Sequence, residues 1–124
     1  MEYAEVLDWL YAQLPMFQRT GPVRYRIDLE KTHALCAALG HPERGLQVVH
    51  IAGTNGKGSV SHAVAAALQA RGQKVGLYTS PHLEDPRERI RIDGEWISDA
   101  AFSAFVVDHM AIWEDLQPSF FEVM

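Results

Sequence analysis

The chain has a single cysteine, no surplus of basic residues, and no apolar run near the roughly 18 residues that a membrane span requires. Each of these absences excludes something. In 124 residues the lone Cys36 cannot form an internal disulfide. It falls on the apolar side of a helical pattern, where a buried thiol acts as a small hydrophobe, and a reducing cytoplasm suits it. Without a span the chain is expected to be soluble. The opening MEYAEVLDWL has no basic n-region, no apolar h-region and no small-residue cleavage site, so export is not expected and the location is expected to be cytoplasmic. Eleven Lys and Arg stand against sixteen Asp and Glu, for a net charge of −5. The basic residues are scattered rather than gathered in a stripe, so neither nucleic acid nor membrane is expected as a partner. The nearest thing to a charge cluster, residues 84–95 (EDPRERIRIDGE), alternates in sign and reads as a solvated face.

What is present is ordinary globular usage, 48% apolar and 22% charged. At this length folding buries about two thirds of the unfolded surface, enough for one core. Tyr3, Val6, Leu7, Leu10 and Leu14 recur at helical spacing and predict an amphipathic helix that ends before Pro15. Residues 15–26 show no period and read as an irregular connection. Asp28 can cap a second helix carrying Leu29, Thr32, Leu35, Cys36 and Leu39, with Gly40 past its end. Residues 46–51 (LQVVHI) predict a buried strand, residues 59–71 a helix stopped by Gly72, and residues 74–79 a second strand. Strand, helix, strand over this distance is the size of a parallel βαβ unit. Asp93-Gly94 predicts a type I′ turn in a hairpin over residues 89–98. Ser98 or Asp99 then opens a helix bearing Phe102, Phe105, Val106, His109 and Trp113, which ends before Pro118, and residues 119–124 begin another. No repeat and no internal domain boundary is visible. Two strands of parallel character cannot cover their own edges and faces, so the chain is expected to be the N-terminal piece of a longer protein.

The stretch HIAGTNGKGSV, residues 50–60, places three glycines and a lysine between the predicted strand and helix. Backbone N–H groups at a helix N-terminus favour anions, glycines allow close approach, and Lys57 and Ser59 supply a cation and a hydroxyl, so the stretch suits a phosphate cradle. The strict pattern G-x-x-x-x-G-K-[ST] is not met. Ile51 stands at its first glycine, and Gly58 separates Lys57 from Ser59. A glycine-rich turn with a surface lysine is the alternative.

GTNGKGS (residues 53–59), GLYTSPHL (residues 76–83) and RERIRIDGEWIS (residues 87–98) follow one another in an order and spacing that resembles the N-terminal portion of folylpolyglutamate synthase/dihydrofolate synthase, in the Mur ligase superfamily. The fold implied is α/β, the N-terminal part of a P-loop-type Mur ligase ATPase domain with a parallel βαβ unit, one β-hairpin and flanking helices, with residues 1–124 an incomplete ATP-binding domain. The resemblance implies that Gly53, Thr54, Asn55, Gly56, Lys57, Gly58 and Ser59 bind ATP and that Lys57 is catalytic. It also implies that Ser80, with Ser59, ligates Mg2+ and that His82 lies near the site. Without the resemblance, Ser80 before Pro81 reads first as a helix or turn cap. Residues 27–29 (Ile27, Asp28, Leu29) and 119–122 (Ser119, Phe120, Phe121, Glu122) resemble parts of a dihydropteroate site. A phenylalanine could stack on a pterin and Asp28 or Glu122 accept its N–H groups, but Asp28 is also a good N-cap and Ser119 with Glu122 has the form of a capping box.

The reaction implied is ATP-dependent joining of L-glutamate to dihydropteroate or folates through an acyl phosphate. The family's further magnesium ligands, its modified lysine and its C-terminal domain have no counterpart here, so the chain alone is expected to be inactive. The full-length protein is expected to be monomeric and this chain able to self-associate. Two rivals remain: a non-catalytic nucleotide-binding module, indifferent to pterin, and an interaction fragment whose melting neither ligand shifts.

Overall fold

The computed structural model describes residues 1–13 and 29–124. In chain order its elements are α1 (Tyr3–Gln13), α2 (Glu30–Ala38), α3 (Lys57–Ala70), β1 (Gly76–Tyr78), a 3₁₀ turn (Pro86–Arg89), β2 (Ile90–Ile92), β3 (Glu95–Trp96), α4 (Asp99–Asp108), α5 (Met110–Leu116) and α6 (Phe120–Val123). They form two compact units, one of Met1–Gln47 with Ser103–Met124 and one of Val48–Phe102.

The first unit holds most of the core. The helical spacing of α1 buries Val6 and Leu10, and α2, α4, α5 and α6 contribute Leu35, Val106, Trp113 and Phe120. The Trp113 indole satisfies its one donor by bonding the Val106 carbonyl at 2.9 Å, which lets a polar atom sit in an apolar centre. Tyr11 stacks on Phe120 with ring centroids 5.5 Å apart. Lys31 reaches the Gln117 carbonyl at 2.9 Å and so ties α2 to the left-handed residue that ends α5. The helix expected over residues 98–117 is split at His109. There the imidazole Nδ1 lies 2.7 Å from the Phe105 carbonyl, the acceptor that the continuing backbone would use.

Both predicted glycine stops are realised in one geometry. Gly40 donates to Ala37 and His41 to Cys36 after α2, while Gly72 donates to Gln69 and Gln73 to Leu68 after α3. These are Schellman closures, and φ of +76° at Gly40 and +84° at Gly72 explains the choice of glycine. At the start of α4, Ser98 accepts from Ala101 N–H as predicted. Leu29 stands at the N-cap of α2, with no side-chain cap bond, and Asp28, expected as the cap, lies outside the described residues.

The second unit is built on an antiparallel sheet in the order β1-β2-β3. Leu77 faces Arg91, which in turn faces Trp96, and the hairpin turn has Asp93 at φ +50° and Gly94 at φ +85°, the signs a type I′ turn requires. Gln69 from α3 and Val75 both bond Asp93, so helix, strand and turn are held together.

The parallel βαβ unit expected from the sequence is not formed among the described residues. Residues 74–79 do yield β1, but its partner is β2, antiparallel, and residues 46–51 form no strand. Leu46, Val48 and Val49 are 66, 76 and 63% exposed. β-propensity measures how well a side chain fits into a sheet with neighbours, and among the described residues no strand lies beside this run.

Candidate functional site

The glycine loop leads into α3. Its N-cap residue, Gly56, is left-handed with φ +76° and makes no side-chain cap. The first-turn N–H groups of Lys57, Gly58 and Ser59 are therefore not satisfied by any capping side chain, the condition under which a helix N-terminus takes an anion. Residues 52–60 are all exposed, and a Cβ placed at Gly53, Gly56 or Gly58 would meet nothing within 4 Å. Lys57 folds back across the loop, its ammonium donating to the Gly53 carbonyl at 2.7 Å. A cation thus lies across an exposed glycine loop.

The second motif follows directly on β1. β1 packs on α3, and Ser80 follows two residues after the end of β1. The Ser80-Pro81 peptide is cis, and Ser80 is exposed. Among the described residues no three His, Cys, Asp or Glu are grouped to hold a metal. Two neutral hydroxyls, Ser59 and Ser80, fit only a magnesium ion that keeps most of its ligands as water and phosphate.

The loop after Ser80 is anchored by residues that the sequence reading took for a solvated face. The Glu88 carboxylate accepts the N–H groups of Leu83, Glu84 and Asp85 at 3.0, 2.8 and 2.7 Å. Those bonds favour its charged form and hold its pKa below the ordinary carboxylate value. Asp85 caps the 3₁₀ turn by accepting Arg87 N–H and binds the Arg87 guanidinium through both oxygens, at 3.1 and 2.8 Å. Arg89, 5% exposed, donates from Nε to His82 Nδ1 at 2.7 Å and from its terminal nitrogen to the Tyr78 hydroxyl at 3.4 Å. Burial, then the Arg89 charge, pushes the His82 pKa down, against the opposite pull of Glu88 and Asp85. The only signal in the sequence for Glu88 was the capping-box spacing from Asp85, and there was none for Arg89.

The residues expected to meet a pterin lie in the other unit. Ile27 and Asp28 are outside the described residues, and Leu29 is 64% exposed. Ser119 and Glu122 form the capping box, with the Ser119 N–H on the Glu122 carboxylate at 2.8 Å and the return bond at 3.2 Å. Thr32 also reaches Glu122, at 3.5 Å. Phe120 is fully buried, while Phe121 is 38% exposed and meets Phe120 edge-on. Of the two rings, Phe121 is the one with surface to offer.

No family model matches the chain. The chain is 40% identical over 117 residues to folylpolyglutamate synthase of Lacticaseibacillus casei, which covers 94% of it and 26% of that protein. It is 35% identical over 128 residues to dihydrofolate synthase/folylpolyglutamate synthase of Bacillus subtilis, covering 98% and 28%. Its homologues are folylpolyglutamate and dihydrofolate synthases, matched in their N-terminal portion. A solved folylpolyglutamate synthase in complex with AMPPCP and folate superposes with a TM-score of 0.83 at 38% identity, over 99% of this chain and 30% of that one. The α/β character of the fold agrees with that neighbour. The chain spans under a third of the length of these synthases.

Proposed function

We propose that residues 1–124 are the N-terminal part of the ATP-binding domain of a cytoplasmic ligase that joins L-glutamate to dihydropteroate or folates. The observation that carries this reading is the uncapped N-terminus of α3 beneath an open glycine loop spanned by Lys57. It is supported by a chain 38% identical, bound to an ATP analogue and folate. Gly53, Thr54, Asn55, Gly56, Gly58 and Ser59 receive the phosphates of ATP through backbone N–H groups, and Lys57 leaves the Gly53 carbonyl to neutralise the terminal phosphates. The substrate carboxylate attacks the γ-phosphorus of ATP, releasing ADP and giving an acyl phosphate; the glutamate amine then attacks the acyl carbon, forming the amide as phosphate leaves and the nitrogen loses a proton. No side-chain nucleophile is needed. Two anions must be brought together and the charge on the transferring group stabilised. Ser59 and Ser80 would hold a magnesium ion, whose contribution is electrostatic shielding of that charge.

One observation favours a narrower reading, a nucleotide-binding module without catalysis. Phe120 is buried and Glu122 is committed to its capping box, so these two of the expected pterin contacts are engaged in the chain's own structure. Titration calorimetry with magnesium and AMPPCP separates the readings. The chain binds AMPPCP and Lys57→Ala weakens it by at least about tenfold, the scale of one lost charge-stabilising contact. Folate enhances that binding only on the ligase reading. With ATP, dihydropteroate and glutamate, the chain alone yields no product. Undiminished binding by Lys57→Ala defeats both readings.

A further inference from the structure

The guanidinium of Arg89 is the one charged side chain buried to 5% exposure among the described residues, and what it touches is specific. Its Nε–H points at His82 Nδ1 at 2.7 Å and its terminal nitrogen at the Tyr78 hydroxyl at 3.4 Å. The Arg89 carbonyl accepts from Thr79 N–H at 2.9 Å, so the same residue holds both the backbone before Ser80 and the side chain after it. A guanidinium in a protein has donors only and does not give up its proton. The atom it meets must therefore accept. Nδ1 of His82 carries no proton, and the ring's one N–H is on Nε2. We propose that Arg89 is a positioning residue that, through this fixed His82 tautomer, holds the loop carrying Ser80 in the conformation that meets a nucleotide.

The anchoring spans both sides of the loop. Upstream, Thr79 is fastened to Arg89 in continuation of the β1–β2 ladder, and downstream Leu83, Glu84 and Asp85 are fastened to Glu88, the neighbour of Arg89. Between them Ser80 and Pro81 are exposed, and His82 is the side chain linking this stretch to the buried guanidinium. A loop fixed at three points is presented to a ligand without an ordering cost at binding, which is the physical content of preorganisation. The ligand half of this inference rests on the nucleotide reading above. The tautomer half does not.

The test uses the whole chain with isotope-labelled histidine. Nitrogen-detected correlation spectra distinguish the two neutral imidazole tautomers directly. The expected result is a single His82 tautomer with the proton on Nε2 in the wild type and an averaged pair in Arg89→Met. His82→Asn places an amide oxygen where Nδ1 accepts and is expected to keep magnesium–AMPPCP affinity within about twofold, whereas His82→Leu and Arg89→Met weaken it by about tenfold. Arg89→Lys, which keeps a buried cation and a donor, guards against a fold lost for want of charge; it is expected to weaken binding less than Arg89→Met. An Nδ1-protonated His82, or a tautomer unchanged in Arg89→Met, overturns the proposal. So does a tautomer lost while AMPPCP affinity stays at the wild-type level. A wild-type chain that shows the tautomer but binds no AMPPCP overturns the nucleotide reading and leaves Arg89 as an organiser of the loop alone.

Discussion

Trp113 and Glu88 show how single side chains carry more than one task. The Trp113 ring is 2% exposed, and its indole N–H is spent on the Val106 carbonyl. Trp113→Phe removes the donor and part of the ring, and an expected loss of about 1–3 kcal/mol should be measurable by urea unfolding. Glu88 closes three backbone N–H groups with one carboxylate, and its depressed pKa has a definite sign. The unfolded chain takes up the proton first, so the loop's contribution is complete above the ordinary value of 4.5 and fades as pH falls through the lower folded value. Amide exchange at Leu83, Glu84 and Asp85, corrected for intrinsic rates, is expected to lose protection in that acid window. In Glu88→Gln protection is low and nearly flat with pH.

Among the elements, caps separate stability from binding. Ser119→Ala removes half of a capping box and should lower stability by about 1 kcal/mol in thermal or chemical melts. A larger effect on folate binding than on melting would restore Ser119 to a substrate role. Gly58 offers the opposite case. Its φ lies outside the left-handed range and a Cβ there meets nothing, so Gly58→Ala in α3 is expected to leave stability unchanged or raise it by up to about 1 kcal/mol. The same methyl would stand in the path of a phosphate approaching the loop. Calorimetry with AMPPCP is therefore expected to show weaker binding in a variant that melts no earlier.

For the molecule as a whole, charge and exposed apolar surface act together. A net charge of −5 keeps copies apart near neutral pH, and that repulsion vanishes close to pH 5.6. Leu46, Val48 and Val49 lie exposed in a stretch of high β-propensity with no described strand beside it. Light scattering against pH is expected to show concentration-dependent association with a maximum near pH 5.6 that added Lys at Val48 reduces.

Much of this was written locally. The glycine stops at Gly40 and Gly72, the Ser98 cap, the Asp93-Gly94 turn and the glycine loop before α3 depend on residues a few positions apart, and the chain alone specifies them. The GTNGKGS and SPHL stretches likewise carry the likeness to the folylpolyglutamate and dihydrofolate synthases in sequence alone. Tertiary structure decided what depends on distant partners: that residues 46–51 form no strand among the described residues and β1 joins β2, that Phe120 is core while Phe121 is surface, and that Arg89 is buried against His82. Backbone capping is settled within one turn of chain, whereas pairing, burial and the acceptor a guanidinium finds are settled by neighbours that only folding brings near.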